Sequence, residues 1–205
     1  MNSKIILIGI FILSLNLSIY ANTYYQHKVS QFQQLSKQAN KNIVMIGDSI
    51  TDRGLWSELT NRNNIINRGI SGDTTSGVLN RLNNLNLNLQ QAFIMIGIND
   101  LLRGQSIEYI FDNYKKIIIK LKDIGIKPVI QSTLYIRSNT KTINQKVEKL
   151  NNLLCEYAKR NKIQFIDLNI KLAPNNILLE KYSLDGLHLN GKGYIEWSKI
   201  LQNNL

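Results

Sequence analysis

A serine hydroxyl attacks a carbonyl at neutral pH only when an imidazole takes its proton and a carboxylate holds that imidazole in one tautomer. The chain places one of each in a workable order. Gly47-Asp48-Ser49-Ile50-Thr51 lies near its start and Asp185-Gly186-Leu187-His188 near its end. There are 2 histidines in all. His27 falls in a polar stretch behind the N-terminal apolar run, which leaves His188 as the candidate base for Ser49. Asp185 precedes His188 by 3 positions and reaches the same ring across a single turn of chain.

The chemistry such a trio performs is acyl transfer, whose tetrahedral intermediate carries a negative oxygen. One preset hydrogen-bond donor aimed at that oxygen lowers the barrier by roughly 3 kcal/mol. Three groups could supply donors. Gly72 has no side chain to obstruct its N–H, Asn99 carries a side-chain amide, and Ser49 has its own N–H. Taken singly, Gly72 reads as a turn glycine and Asn99 as a loop-capping asparagine. Asp48 and Asp73 read as loop braces that accept backbone N–H bonds. Arg53, Arg68, Arg103 and Tyr135 are candidates for lining a substrate pocket, although bracing is the simpler role for any one of them.

These residues need a frame that gathers them. Short apolar runs without alternation occur at 43–46, 64–67, 92–96, 128–134 and 163–168, as expected of parallel strands covered on both faces. Helical periodicity lies between them. Ile107, Ile110, Phe111, Tyr114, Ile117, Ile118 and Leu121 form one stripe, opened by Ser106 and closed by Gly125. Ile143, Val147, Leu150, Leu154 and Tyr157 form a second, and Tyr194, Trp197, Ile200 and Leu201 a C-terminal one. The pattern predicts an α/β fold: a single three-layer α/β/α domain with a five-stranded parallel sheet. Ligands bind such sheets outside the carboxyl ends of the strands. Ser49, the 69–74 segment, the 97–100 segment, Tyr135 with Arg137, and the Asp185/His188 loop all follow strand ends, so they share one rim.

Composition narrows the rest. The 205 residues are 43% hydrophobic and 19% charged, which suits a folded domain and argues against disorder. Cys155 is the sole cysteine, which excludes an internal disulfide and a cysteine-rich metal site; it reads as a buried inert thiol. The formal charge of +11 is spread along the chain, with no basic-aromatic pattern of a nucleic-acid module. Lys4, the apolar run to Leu17, and Ala21 read as a signal peptide over residues 1–21, followed by an amphipathic linker or helix over 22–40. Export to the periplasm or medium is the expectation. An uncleaved N-terminal anchor is the alternative, and membrane contact is expected only through it.

Gly47-Asp48-Ser49, Gly72 within Asn67-Arg68-Gly69-Ile70-Ser71-Gly72-Asp73-Thr74-Thr75, Asn99 within Gly97-Ile98-Asn99-Asp100, and Asp185-Gly186-Leu187-His188 together resemble the blocks of the SGNH hydrolases, the GDSL-type esterases. The resemblance runs over about residues 41–205. It implies a flavodoxin-like sheet and Ser49 as nucleophile. It also implies His188 as base, Asp185 as its orienting partner, and Gly72 with Asn99 as oxyanion donors. The opening block has Ile50 where the family's usual block has leucine. The resemblance implies no cofactor, and no metal is expected at Asp185 and His188. No Gly-x-Ser-x-Gly elbow or phosphate-binding Gly-x-x-x-x-Gly-Lys motif competes with it.

Finer motifs divide the expected substrates. Gly72-Asp73-Thr74-Thr75 with Val78-Leu79 and Arg81-Leu82 resembles the platelet-activating-factor acetylhydrolase-like branch. Asp185 to Asn190 with Gly193-Tyr194 resembles carbohydrate O-acetylesterases. Asn99-Asp100-Leu101-Leu102-Arg103-Gly104 resembles exported lysophospholipases and thioesterases, which take longer chains. The favoured expectation is removal of short O-acetyl groups from a carbohydrate or glycan. A lysophospholipase or acyl thioesterase is the alternative, and a non-catalytic glycan-binding module a remoter one.

Overall fold

Strand β1 (Ile43–Gly47) is apolar up to its terminal glycine and buried at every position. It sits inside a sheet, pairing in parallel with β2 (Ile65–Gly69) on one side and β3 (Gln91–Met95) on the other. β4 (Lys127–Gln131) and β5 (Gln164–Ile166) extend the sheet beyond β3. The order is β2-β1-β3-β4-β5, the flavodoxin-like arrangement of a doubly wound sheet. This computed structural model describes residues 23–36, 41–85, 88–137 and 141–205. The signal-peptide expectation over 1–21 lies outside the described residues.

Helices cover both faces. Residues 23–36 form α1. The others that matter here are α2 (Ser49–Asp52), α3 (Trp56–Thr60), α4 (Thr75–Arg81), α5 (Ile98–Leu102), α6 (Ile107–Asp123), α7 (Lys141–Arg160), α8 (Asn169–Leu172) and α9 (Gly191–Gln202). α4, α5, α6 and α7 form one contacting set and α3, α8 and α9 another, with the sheet as the middle layer. In α6 the Ser106 hydroxyl accepts the Tyr109 N–H at one end, and Gly125 adopts φ +79° just past the other. Its stripe is core, and Tyr114 spends its hydroxyl on the Ile96 N–H and carbonyl of the neighbouring strand end.

Two expectations are corrected. The fourth strand ends at Gln131, not residue 134, because β5 offers partners only as far as Ile166. Beyond it, three asparagine side chains replace the ladder: Asn151, Asn144 and Asn169 accept the N–H groups of Thr133, Ile136 and Tyr135. Cys155 is exposed, one position past the buried Leu154 and so turned about 100° away from the buried stripe of α7.

Register positions the site. Gly47 stands opposite Gly69 and Met95, so β1, β2 and β3 end at one level. Their loops leave together at the β1/β3 junction, where the strand order reverses, the place at which sheets of this kind bind ligands.

Candidate active site

Ser49 is the first residue of α2, a helix of 4 residues that is too short to persist unaided. Its neighbours hold it. Asp48 caps it by accepting the Ile50 N–H at 2.9 Å. The orphan carbonyls of its last turn find side chains from elsewhere. Tyr194 of α9 donates to the Ile50 oxygen at 2.8 Å and the Trp56 indole to that of Thr51 at 2.9 Å. The Asn67 amide nitrogen lies 2.8–3.0 Å from the oxygens of Thr51, Asp52 and Gly54. Trp56, Tyr194 and Trp197 pack edge-on and stacked behind the helix. β2 must come close for this: a Cβ on Gly69 would stand 2.3 Å from the Asp52 nitrogen.

The second wall is the loop carrying Asp185 and His188. An isolated antiparallel bridge between Ser183 and Leu189 closes it. Within it the Gly186 N–H donates to the Ser183 hydroxyl at 2.9 Å. From outside, the Arg137 N–H donates to the Gly186 carbonyl at 2.7 Å. Asp185 Oδ1 accepts the N–H groups of Leu187 and His188 at 2.9 and 2.7 Å, an Asx-type turn that folds His188 back toward Asp185.

The two walls meet at the serine. Ser49 Oγ is 2.9 Å from His188 Nε2, and His188 Nδ1 is 2.7 Å from Asp185 Oδ2. The imidazole therefore bridges hydroxyl and carboxylate, separated in sequence by more than 130 residues. The little burial Asp185 has pushes its carboxyl up, but the His188 ring and the Leu187 and His188 N–H groups outweigh it. They hold the carboxyl well below the usual range.

Gly72 and Asn99 come to the same side. Gly72 has φ +78°, where a side chain would be strained, and its N–H belongs to the loop beyond β2. Asn99, in the first turn of α5, donates an amide hydrogen to the Asp73 carbonyl at 3.0 Å. Asp73 is fixed in turn by the buried ion pair with Arg81 at 2.8 Å and accepts the Thr74 N–H. Asp100 accepts the Thr75 N–H and hydroxyl, and this ties α4 to α5. Asp48 and Asp73 thus act as loop braces.

The pocket-lining candidates fall in different places. Arg103 is at the rim, where it donates to the Gly72 carbonyl at 2.7 Å. Arg68 is 5% exposed, and its guanidinium lies 4.6 Å from the Phe32 ring of α1. Burial, followed by the charge of Arg81, lowers its pKa to about 10. Tyr135 is buried and lines a cavity of about 220 Å³ with Asn151, Cys155 and Asp167; Ser49 is not among its lining residues. Arg53 is exposed at the end of α2, and His27 is exposed on α1, away from the serine's imidazole. Asn67, Asp52 and Ser183 went unread as site residues. Asn67 stands inside the Asn67–Thr75 block, but its acceptors lie 13–16 positions earlier, which no local pattern reveals.

Fold and site together place a Ser–His–Asp relay at the switch point of a flavodoxin-like sheet. The chain matches the GDSL-like lipase/acylhydrolase family over residues 45–194 and belongs to it. It is 31% identical over 163 residues to an N-acylneuraminate cytidylyltransferase of Streptococcus agalactiae. That match takes in 79% of this chain but 38% of the relative's length, so the chain spans well under half of that protein. Platelet-activating factor acetylhydrolase IB subunit alpha2 of Rattus norvegicus is 26% identical over 174 residues, 80% of this chain and 76% of that one. Among solved structures, a GDSL-like lipase from Bacteroides thetaiotaomicron superposes with a TM-score of 0.77 at 26% identity, covering 90% of this chain and 97% of its own.

Proposed function

We propose that the protein is a serine esterase that removes short acyl groups, acetyl above all, from a carbohydrate or glycan, with Ser49 as nucleophile. The observation that carries the catalytic part is the continuous relay Ser49–His188–Asp185 at 2.9 and 2.7 Å. His188 Nε2 takes the Ser49 proton as Oγ bonds to the ester carbon, and the carbonyl electron pair moves onto oxygen. That oxygen accepts from the Gly72 N–H, an Asn99 amide hydrogen and the Ser49 N–H. Asp185 Oδ2 holds the ring tautomer and balances the imidazolium. The proton then passes from Nε2 to the departing alcohol oxygen. Water, deprotonated by the same nitrogen, bonds to the acyl carbon; the carbon–Oγ bond then breaks, Nε2 returns the proton to Ser49 Oγ, and the acid leaves.

The polar groups on the loops beyond β2 and β3 support a hydroxyl-rich leaving group. Ser71, Gly72, Asn99 and Arg103 are the neighbours that the loops bring to this rim. One relative, named an acetylhydrolase, supports a short acyl group. The Lys4–Ala21 pattern favours action outside the cytoplasm, where acetylated envelope glycans occur. One feature favours the alternative of longer acyl chains: Leu184, beside Asp185, is 88% exposed.

Hydrolysis of p-nitrophenyl esters from acetyl to palmitoyl, with Ser49→Ala in parallel, tests the reading. The expected outcome is a Ser49-dependent rate that collapses beyond short chains, followed by acetate release from acetylated oligosaccharides. A rate sustained on long chains would favour the lysophospholipase or thioesterase. Full activity in Ser49→Ala would overturn the serine mechanism.

A further inference from the structure

Helix α1 lies outside the segment that matches the family, 45–194, yet it reaches both arms of the oxyanion hole. The first contact is through Asp52, in the last position of α2. Asp52 Oδ2 accepts the Tyr24 hydroxyl at 2.6 Å and the Ser71 hydroxyl at 2.9 Å, while Oδ1 takes the Lys28 ammonium at 2.7 Å. Ser71 is covalently next to Gly72. The carboxylate therefore ties α1 to the peptide bearing the Gly72 N–H and to the helix bearing Ser49. Burial pushes the Asp52 carboxyl up, but Lys28, Tyr24 and Ser71 outweigh it and hold it ionised below its ordinary value.

The second contact runs to Asn99. Phe32, 6% exposed, places its ring 5.9 Å from the Arg81 guanidinium, and Arg81 holds Asp73, whose carbonyl orients the Asn99 amide. Tyr25 adds a hydrogen bond to the Gly77 carbonyl in α4. None of these α1 residues approaches the reacting atoms. Tyr24 and Lys28 act on the Gly72 peptide through Asp52 and Ser71, and Phe32 on Asn99 through Arg81 and Asp73.

We infer that α1 is a positioning element of the active site: Tyr24 and Lys28, acting through Asp52 and Ser71, fix the Gly72 N–H where the oxyanion forms. The inference rests on the serine-esterase reading above. A positioning role differs from simple stability in what it moves. Substrate binding in the ground state changes little, while the transition state loses a donor held in place.

The test compares the full chain with Tyr24→Phe, Lys28→Met and their double variant. Lys28→Arg serves as the conservative rescue, and Gln31→Ala, exposed on the same helix, as the control. In the double variant we expect kcat on a short-chain ester to fall on the order of ten-fold, with KM within about two-fold. Hydrogen exchange in the 70–74 segment should quicken about ten-fold while that of β1 and β3 stays unchanged. Lys28→Arg and Gln31→Ala should match wild type. Tyr24→Phe, which keeps the ring, carries the test if the double variant does not fold. Unchanged exchange at 70–74 overturns the inference, and so does faster exchange with unchanged kcat. A fall in activity that only mirrors the unfolded fraction overturns it as well. Absence of Ser49-dependent turnover in the wild type sinks the esterase reading itself. The inference then falls with it, a failure that Ser49→Ala distinguishes from the others.

Discussion

Asp185 shows how a residue half in water can still be committed to one task. Its side chain is 54% exposed, against 18% for His188, yet both oxygens are engaged by the loop that carries them. Because those donors hold the carboxyl ionised far into acid, the acid side of the rate profile does not come from it. Asp185→Asn keeps the shape of the side chain but presents an amide to the ring and disfavors the useful tautomer. We expect kcat to fall by about 10² or more with KM little changed, since the corresponding change in a buried triad costs about 10⁴. Steady-state kinetics on a p-nitrophenyl acyl ester measure it. Retention of wild-type kcat would remove Asp185 from the mechanism. Ser49, Asp185 and His188 were legible from residue type alone, because the chain offers so few alternatives. Arg68 was not, since burial under Phe32 depends on a helix more than 30 positions earlier.

At the scale of elements, α2 is held almost entirely from outside itself. Asn67 is the chief tie, with an amide that serves the Thr51, Asp52 and Gly54 carbonyls and an oxygen that accepts the Gly69 N–H at 2.8 Å. Asn67→Ala leaves these groups short of partners. The expected cost is about 2–3 kcal/mol of stability, at roughly 1 kcal/mol per lost hydrogen bond. A several-fold loss in kcat should accompany it as Ser49 loosens. Urea unfolding and kinetics on the same preparation check the pair, and an unchanged urea midpoint would contradict the account. The stripes of α6 and α7 were readable because each side chain's burial follows from spacing within its own helix. The end of β4 was not. Where a strand stops depends on how far its neighbour runs, and the replacement partners Asn144, Asn151 and Asn169 lie on other elements.

Across the whole molecule, the loops that meet behind the site bury three carboxyls, Asp48, Asp73 and Asp100. Burial raises all three; the charges of Asp73 and Asp100 add to it at Asp48, and that of Asp100 at Asp73. For Asp73, burial outweighs even the paired Arg81. Asp48 reaches about 7 against its ordinary 3.8. A carboxyl raised in this way binds its proton more tightly in the folded state than in the unfolded one. The contribution of Asp48 to stability is then greatest at acid pH and declines as pH rises from about 4 to about 7, by up to about 1.4 kcal/mol per pH unit. Asp48→Asn keeps an oxygen to cap α2 and removes the titration. We expect the variant's advantage in unfolding midpoint over wild type to grow between pH 5 and pH 8. An advantage that shrinks as pH rises would refute the sign.

The sequence by itself determined the fold class, the four chemical blocks and their order along the chain. Those properties depend on residue type and on neighbours within a few positions, where periodicity and turn chemistry act. Tertiary structure alone decided the rest: the 2.9 Å meeting of Ser49 with His188, the burial of Arg68, the seat of Tyr135 in a cavity that Ser49 does not line, and the docking of α1 on Asp52. Each of these depends on the strand order β2-β1-β3-β4-β5, which brings distant loops to one rim. Strand order is set by packing the whole core at once, and no local stretch of residues encodes it.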